Sequence, residues 1–449
     1  MAWERRIMRT VRVRNEHKLG VLAHLMTAIA DMKAGIGTIE LINETAQSVV
    51  RDITIYAENA EHMDHVIEAM RANEGTRVLA VRDEVLELHQ KGKIAVRSRF
   101  PIDSIATLRR VYTPGVAEVC LKIADDPALA RLYTSVSHMV AIVTDGTAVL
   151  GLGDIGPLAS MPVMEGKAML METLVGLSGM PILLNTRDVD EIVKTVAAIA
   201  PTFGAIQLED ISAPRCFEVE ERLQALLDIP VMHDDQHGTA VVSAAAIMTA
   251  AKRANVDIHK VVIGQIGLGA AGNAIGKMLM GLTGNPILGS DLSEDAVKRF
   301  VAAGGKQSDL KEMMAKSDIV IATTGVSDLI KPEMVRKGQI IFALSNPNAE
   351  IDPDVALAHG AAFAADGKSV NNVLGFPGIF RGAMDSNAPR ITHEMLIAAV
   401  EVLVQMTPAG EMLPHPLDKK VHMAVARAVA ETAMKQGIAR AEYVPYVEG

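Results

Sequence analysis

Cysteine is nearly missing from this chain: Cys120 and Cys216 are the only two in 449 residues. So few exclude a disulfide scaffold and fit a reduced, cytoplasmic protein. Aromatic residues are scarce too, at 3% with a single tryptophan, while 49% of the residues are hydrophobic. The core must therefore be built from Ala, Val, Ile, Leu and an unusual 25 Met. Positive charge does not prevail either. The net charge of −10 argues against general binding of nucleic acid or of anionic membranes. The opening residues, MAWERRIMRTVRVRN, hold no apolar run of the signal-peptide kind, and no stretch reaches about 18 unbroken apolar residues. Neither a secretion signal nor a membrane span is expected. No internal repeat or low-complexity tract is visible. What the chain does have is length enough for two or three domains and a large core.

Its chemistry concentrates in residues 205–240, AIQLEDISAPRCFEVEERLQALLDIPVMHDDQHGTA. Two acidic pairs, Glu209–Asp210 and Asp234–Asp235, each close a short apolar run, Ala205–Leu208 and Ile229–Met232. Such runs read as buried strands, and the carboxyl ends of strands are where open α/β sheets place their chemistry. Helical spacing over Glu218–Leu227 makes the stretch strand–helix–strand, so neighbouring parallel strands can present both pairs together. Converging carboxylates repel unless a hard cation such as Mg²⁺ or Mn²⁺ sits among them. Either pair alone reads first as solvated loop residues; two at matching strand ends favour the metal. His233 and His237, at i, i+4 beside an acid, offer a rival zinc reading. The H-E-x-x-H pattern needs both histidines in a helix. Gly238 follows at once and the helix is expected to begin near Thr239, so zinc is not favoured.

Residues 9–86 read as a small βαββαβ module: strand Thr10–Arg14, a turn at Lys18–Gly20, helix Val21–Met32, strands Gly37–Ile42 and Val49–Ala57, helix His62–Arg71, strand Arg77–Val81. Residues 87–97 look like a polar connector. Helical pieces then lead to Tyr112-Thr113-Pro114-Gly115, a turn because Pro114 disfavours helix at Thr113. A tyrosine there is ordinarily a packing residue. Val140–Thr144 and Ala148–Leu152 about Asp145-Gly146 form a hairpin pattern. The loop GLGDIGP (151–157) lacks the third glycine of a dinucleotide fingerprint. Lys167 precedes the helix Ala168–Leu177, a site where its charge opposes the helix dipole; read alone, it is an ordinary solvated lysine.

A second site is legible farther on. The apolar strand His259–Ile266 feeds Gly267-Leu268-Gly269-Ala270-Ala271-Gly272, and the helix Asn273–Leu282 follows. A further strand, Pro286–Leu288, ends near Asp291, 19 residues past Gly272. A glycine fingerprint set between strand and helix is a dinucleotide site, the alternative being a plain tight turn. Asp291 can accept from ribose hydroxyls, and no basic residue follows it to meet a 2′-phosphate, so NAD is favoured over NADP. Strands Ile319–Ala322 and Ile340–Ala343 end in Thr323-Thr324-Gly325 and Ser345-Asn346-Pro347. A strand Ala362–Ala364 precedes the loop with Asn372. Asn346 and Asn372 fall where cofactor and substrate would meet, or are Asx-turn caps. Residues 391–449 are expected to be mostly helical and to pack on the catalytic core.

Taken in order, VYTPGVAEVC, VTDGTAVLGLGDIG, GKAMLM, QLEDIS, HDDQHGTA, IGLGAAG, ALSNPN and NNVLGFPGIF resemble malic enzymes of the smaller bacterial kind, over roughly residues 98–445. The front module resembles the ACT domain, with Leu19-Gly20 in place of its usual Pro-Gly. The resemblance implies an α/β protein with four parts: an ACT-like regulatory domain (1–90), a catalytic α/β domain (91–240), a Rossmann-type NAD-binding domain (241–390) and C-terminal helices (391–449). It implies metal ligands at Glu209, Asp210 and Asp235, and a general base at Lys167 with Asp234 beside it. Tyr112 takes the place of the proton donor. Gly267, Gly269, Ala271, Gly272, Asp291, Thr324 and Asn346 fall on cofactor contacts, and Asn346 and Asn372 on substrate contacts. The larger eukaryotic members have an arginine near Ala148 that grips a malate carboxylate; none is present here. The implied activity is NAD-dependent oxidative decarboxylation of L-malate with Mg²⁺ or Mn²⁺, in a cytoplasmic homo-oligomer with a small-molecule effector at the front module. A malolactic-type enzyme releasing lactate, and an inactive amino-acid-sensing protein, are the alternatives. A purely structural or dimerising front module is a further one.

Overall fold

The computed structural model describes residues 7–149, 151–346 and 348–446. Leu150 of the expected hairpin and Pro347 of the expected polar loop lie outside these residues. The chain divides into two compact units, Met1–Ala95 and Val96–Gly449. The first contains β1 (Ile7–Glu16), α1 (Val21–Asp31), β2 (Gly35–Glu44), β3 (Ser48–Ala57), α2 (Ala60–Ala72) and β4 (Thr76–Arg82). This is the βαββαβ order expected, as an antiparallel sheet ordered β2-β3-β1-β4. Val11, Val13, Ile53 and Ile55 alternate onto the face that buries Leu25 and Ile29 of α1 and Val66 and Met70 of α2. Each such side chain stabilises the module by about 1.5–3 kcal/mol. A short helix, α3 (Glu84–His89), is capped by Asp83 and takes up the start of the expected connector.

The second unit opens with α4 (Ile105–Val111), α5 (Val116–Asp125) and α6 (Ala130–Tyr133), none of which buries a residue. A parallel sheet follows, built from β5 (Met139–Thr144), α7 (Pro157–Val175), β6 (Ser178–Leu183), α8 (Val189–Ile199), β7 (Ala205–Leu208), α9 (Arg215–Leu226) and β8 (Val231–His233), then α10 (Asp234–Arg253). Its order is β6-β5-β7-β8. Among the described residues the expected hairpin does not form. Both edges of β5 are taken by β6 and β7, so the stretch after Gly146 has no free edge to pair with. Only an isolated bridge, Val149 to Gly153, remains there. Two helices also start earlier than expected. Pro157, at the first position of α7, suits a helix start, which puts Lys167 in the helix interior and removes the dipole argument. α10 begins at Asp234 rather than after Gly238 near Thr239. A Cβ at Gly238 would lie 1.8 Å from Asp234 Oδ1, so the glycine makes room for that carboxylate within a continuous helix.

A second parallel sheet comprises β9 (Ile263–Ile266), α11 (Ala270–Thr283), β10 (Leu288–Ser290), α12 (Glu294–Ala302), β11 (Lys306–Gln307), α13 (Leu310–Lys316), β12 (Ile319–Ala322), β13 (Ile340–Ala343), α14 (Pro353–Ala358) and β14 (Phe363–Asp366). Its order, β11-β10-β9-β12-β13-β14, is that of a doubly wound sheet. β9 is shorter than the expected 259–266, because the Asp257 side chain accepts from His259 N and turns the chain there. The C-terminal part is helical as expected, with α15 (Phe376–Asp385), α16 (His393–Met406) and α17 (Lys419–Lys435). α17 packs on α15 and α7, and α16 on α10. Among the described residues no helix is long and apolar enough to cross a membrane.

Candidate active site

β7 and β8 pair in parallel with Leu208 opposite His233, which sets the two acidic pairs side by side. Glu209, Asp210 and Asp235 each offer an oxygen within 4.8 Å of the others; the first two are buried and Asp235 is half-buried. Burial, then the like charges of Asp235 and Glu209, push the Asp210 carboxyl up to about 9. Asp210 Oδ2 is buried without a hydrogen-bond partner. Three carboxyl groups at this spacing, one with an orphaned oxygen, fit a hard divalent cation such as Mg²⁺ or Mn²⁺. The backbone of Asp210 is left-handed, φ 54°, which costs a non-glycine residue about 1–2 kcal/mol.

Lys167 reaches the same place from α7. Its side chain is 10% exposed, its Nζ lying 2.5 Å from Asp234 Oδ2 and 3.0 Å from Glu209 Oε1. Burial alone would lower its pKa, but Asp234, Glu209 and Asp235 outweigh that and raise it. Asn372, from the far end of the chain, donates to Asp234 Oδ2 at 2.8 Å. Gln207 donates to Glu209 Oε2 at 2.6 Å. Removing one partner from such a buried ion pair costs about 3–5 kcal/mol.

The glycine loop lies where the strand order of the second sheet reverses, between β9 and its neighbours β10 and β12. A Cβ on Gly272 would stand 1.9 Å from Gly267 O, whereas nothing lies within 4 Å of one built on Gly269. The loop is thus closed on itself at Gly272 and open at Gly269, where the first turn of α11 begins. Asp291, just past β10, accepts from Leu268 N at 2.6 Å and from Ser293 N at 2.8 Å. Thr324, past β12, donates its N–H and hydroxyl to Glu350 Oε1, at 2.6 and 2.9 Å. Ser345 adds a third donor to the same oxygen, so Glu350 ties together the loops after β12 and β13. Asn346, in the second of these loops, sets its amide against Gly367.

Comparison with known proteins matches residues 91–224 to the malic enzyme N-terminal domain and 293–436 to the malic enzyme NAD binding domain. NAD-dependent malic enzyme 1 of Bacillus subtilis is 53% identical over 95% of this chain and 98% of its own length. The chain belongs to the malic-enzyme family. The NAD-dependent malic enzyme of Geobacillus stearothermophilus is 40% identical over 97% of this chain and 96% of its own. The solved malic enzyme of Pyrococcus horikoshii superposes with a TM-score of 0.76 at 39% identity, covering 80% of this chain and 92% of that one.

Of the residues singled out in this malic enzyme's sequence, Lys167, Glu209, Asp210, Asp234, Asp235 and Asn372 come together in one cluster. Tyr112 does not join it by any hydrogen bond; it stands 65% exposed at the end of α4. The case against zinc changes its ground, since α10 begins at Asp234 and includes His237. Instead, His237 pairs with Glu220 at 3.1 Å, and among the described residues no metal-capable cluster includes either histidine. Gln207, Glu220, Gln265 and Glu350 escaped the sequence reading. Gln207 and Gln265 each interrupt a four-residue apolar strand, AIQL and IGQI, and that interruption was the available signal. Gln265 Nε2 donates to Gly267 O and Thr323 Oγ1, bracing the glycine loop. Glu350 carried no local signal.

Proposed function

We infer that the chain is an NAD-dependent malic enzyme, which oxidises L-malate at C2 with NAD and releases pyruvate and CO₂. The observation that carries this is the cluster of Lys167, Asp234 and three converging carboxylates in a family member that also carries a dinucleotide loop. In the reading proposed here, Glu209, Asp210 and Asp235 hold Mg²⁺ or Mn²⁺. That ion, when bound, supplies Lewis acidity toward the C2 oxygen and opposes the carboxylates' hold on the lysine proton. Lys167 Nζ would take the hydroxyl proton, and the nicotinamide, when bound, would supply the acceptor for the C2 hydride. Asp234 holds the ammonium so formed, and Asn372 holds Asp234. After C3–C4 cleavage a proton must return to C3; Tyr112, which lies outside the cluster and is 65% exposed, is the donor that the family resemblance implies. Gly267, Gly269, Ala271 and Gly272 receive the dinucleotide, Asp291 its ribose, and Thr324 and Asn346 its nicotinamide end.

The four-part domain division, 1–90, 91–240, 241–390 and 391–449, and the cytoplasmic setting belong to the same reading. The setting is supported by two free cysteines, one of them exposed. Helices α4–α6 bury nothing while Ile105, Leu121 and Leu132 lie about two-thirds exposed, which supports a homo-oligomer covering them. A small effector at the front module remains part of the proposal; light scattering and rates of protein with and without residues 1–90 test both. The activity is tested by steady-state rates with malate, NAD and NADP, with and without Mn²⁺. Free NADH and pyruvate are expected only with metal. Lactate without free NADH would replace this reading with the malolactic one.

A further inference from the structure

Asp210 sits in a left-handed backbone conformation, φ 54°, which few non-glycine residues adopt, and hydrogen bonds hold it there. Its carbonyl oxygen accepts from Thr147 N at 3.1 Å and Ala148 N at 2.9 Å. These amides belong to the loop after β5, the strand beside β7. Thr147 is itself fastened from three sides. Its hydroxyl donates to Asp145 Oδ1 at 2.6 Å and accepts from Ser212 N and from Arg215 Nη2, both at 3.0 Å. Arg215, at the start of α9, also donates to Asp145 Oδ2 at 2.9 Å. The Thr147 amide donates to Asp145 Oδ1 as well. Asp145 is 2% exposed, so its charge is satisfied entirely by this arrangement.

We propose that Arg215, Asp145 and Thr147 form a positioning device that keeps Asp210 left-handed, so that its carboxyl group stays beside those of Glu209 and Asp235. The proposal rests on the reading of Asp210 as a metal-holding residue. Asp210 is the member of the carboxyl trio whose backbone is left-handed, and relaxation to an ordinary backbone conformation would turn its carboxyl group away from the other two. The amides of Thr147 and Ala148 oppose that motion only while their own loop is fixed. The fixing comes from one guanidinium that bridges both ends of the brace. None of the three residues belongs to the carboxylate trio, so they act through Asp210.

The test uses full-length protein and Mn²⁺ itself. Free Mn²⁺ is titrated by electron paramagnetic resonance for Thr147→Val, which keeps side-chain size, and for Arg215→Met. NADH affinity is measured alongside by fluorescence, as a report on the other sheet. Mn²⁺ affinity is expected to fall by about 10- to 100-fold, with NADH affinity within twofold of native. The kcat at saturating Mn²⁺ should largely recover, and Arg215→Lys should restore part of the affinity. Unchanged Mn²⁺ affinity in both variants overturns the proposal. Parallel loss of NADH binding overturns it too, since that marks a general folding role. Asp210→Asn separates this from the underlying reading. If that variant keeps native Mn²⁺ affinity, the metal assignment has failed; if it loses affinity while the brace variants do not, only the brace has failed.

Discussion

The two halves of the catalytic machinery are built on opposite principles. The acid–lysine cluster puts charged groups where water is scarce and neutralises Lys167 with Asp234 and Glu209, while Asn372 adds a hydrogen bond to Asp234. The dinucleotide loop uses almost no charge. It consists of backbone, closed at Gly272 and open at Gly269, with Asp291 pinning the turn through the Leu268 amide. The first kind of site depends on partners from α7, β7, α10, the loop after β5 and the Asn372 loop, and loss of Lys167 leaves buried carboxylates unpaired. The second depends on side chains being absent, and fails when one is added. Sites for a compact, doubly charged ion and for a long polyphosphate ligand diverge in this way because one needs concentrated counter-charge and the other needs room and aligned N–H groups.

That contrast can be broken from either side. Asp235→Ala should have the largest effect, because it removes a carboxylate from the trio. A loss of several kcal/mol, roughly a thousandfold or more in kcat/KM at saturating Mn²⁺, is expected, with NADH affinity untouched. Near-normal turnover would sink the site assignment. Gly272→Ala is the reciprocal probe. Its methyl group would meet the Gly267 carbonyl at 1.9 Å, and overpacking of this kind costs about 1–3 kcal/mol. NADH binding should weaken by tenfold or more on that scale while Mn²⁺ binding holds; if both fall together, the sites are not separable. A smaller effect concerns pH. Asp210, pushed up to about 9 by burial and its acidic neighbours, keeps its proton at neutral pH and must release it to a cation. Mn²⁺ affinity should therefore rise with pH up to about 9, with proton release seen by calorimetry in buffers of different ionisation enthalpy, while NADH affinity stays flat. Equal Mn²⁺ affinity at pH 6 and pH 8 would contradict this. The mildest change is Asp291→Ser, expected to narrow the gap between NAD and NADP severalfold by removing a carboxylate that repels a 2′-phosphate. A native enzyme already preferring NADP would refute that role.

Local features were legible in the amino-acid sequence because their physics is local. The glycine loop between a strand and a helix, the two acidic pairs at strand ends and the βαββαβ order of the front module each depend on residues a few positions apart. The errors have one origin. Gly238 reads as barring a helix before Thr239, and Asp145-Gly146 as a hairpin turn, because turn propensity is weighed over a few residues. The structure decided otherwise through groups remote in sequence: the two strands flanking β5 left no edge to pair with. In α10, the Asp234 carboxylate, held by Lys167 and Asn372, occupies the space a side chain at 238 would fill. The same holds for the site itself. That Lys167 belongs to a buried cluster, that Glu350 ties two loops, and that Arg215 and Asp145 steady the loop gripping Asp210 are facts of long-range contact, with partners from 26 to 70 residues away. Composition and motif determine which groups are available. Only the packed sheet decides which of them lose their water, and a buried charge takes its chemistry from the neighbours that replace that water.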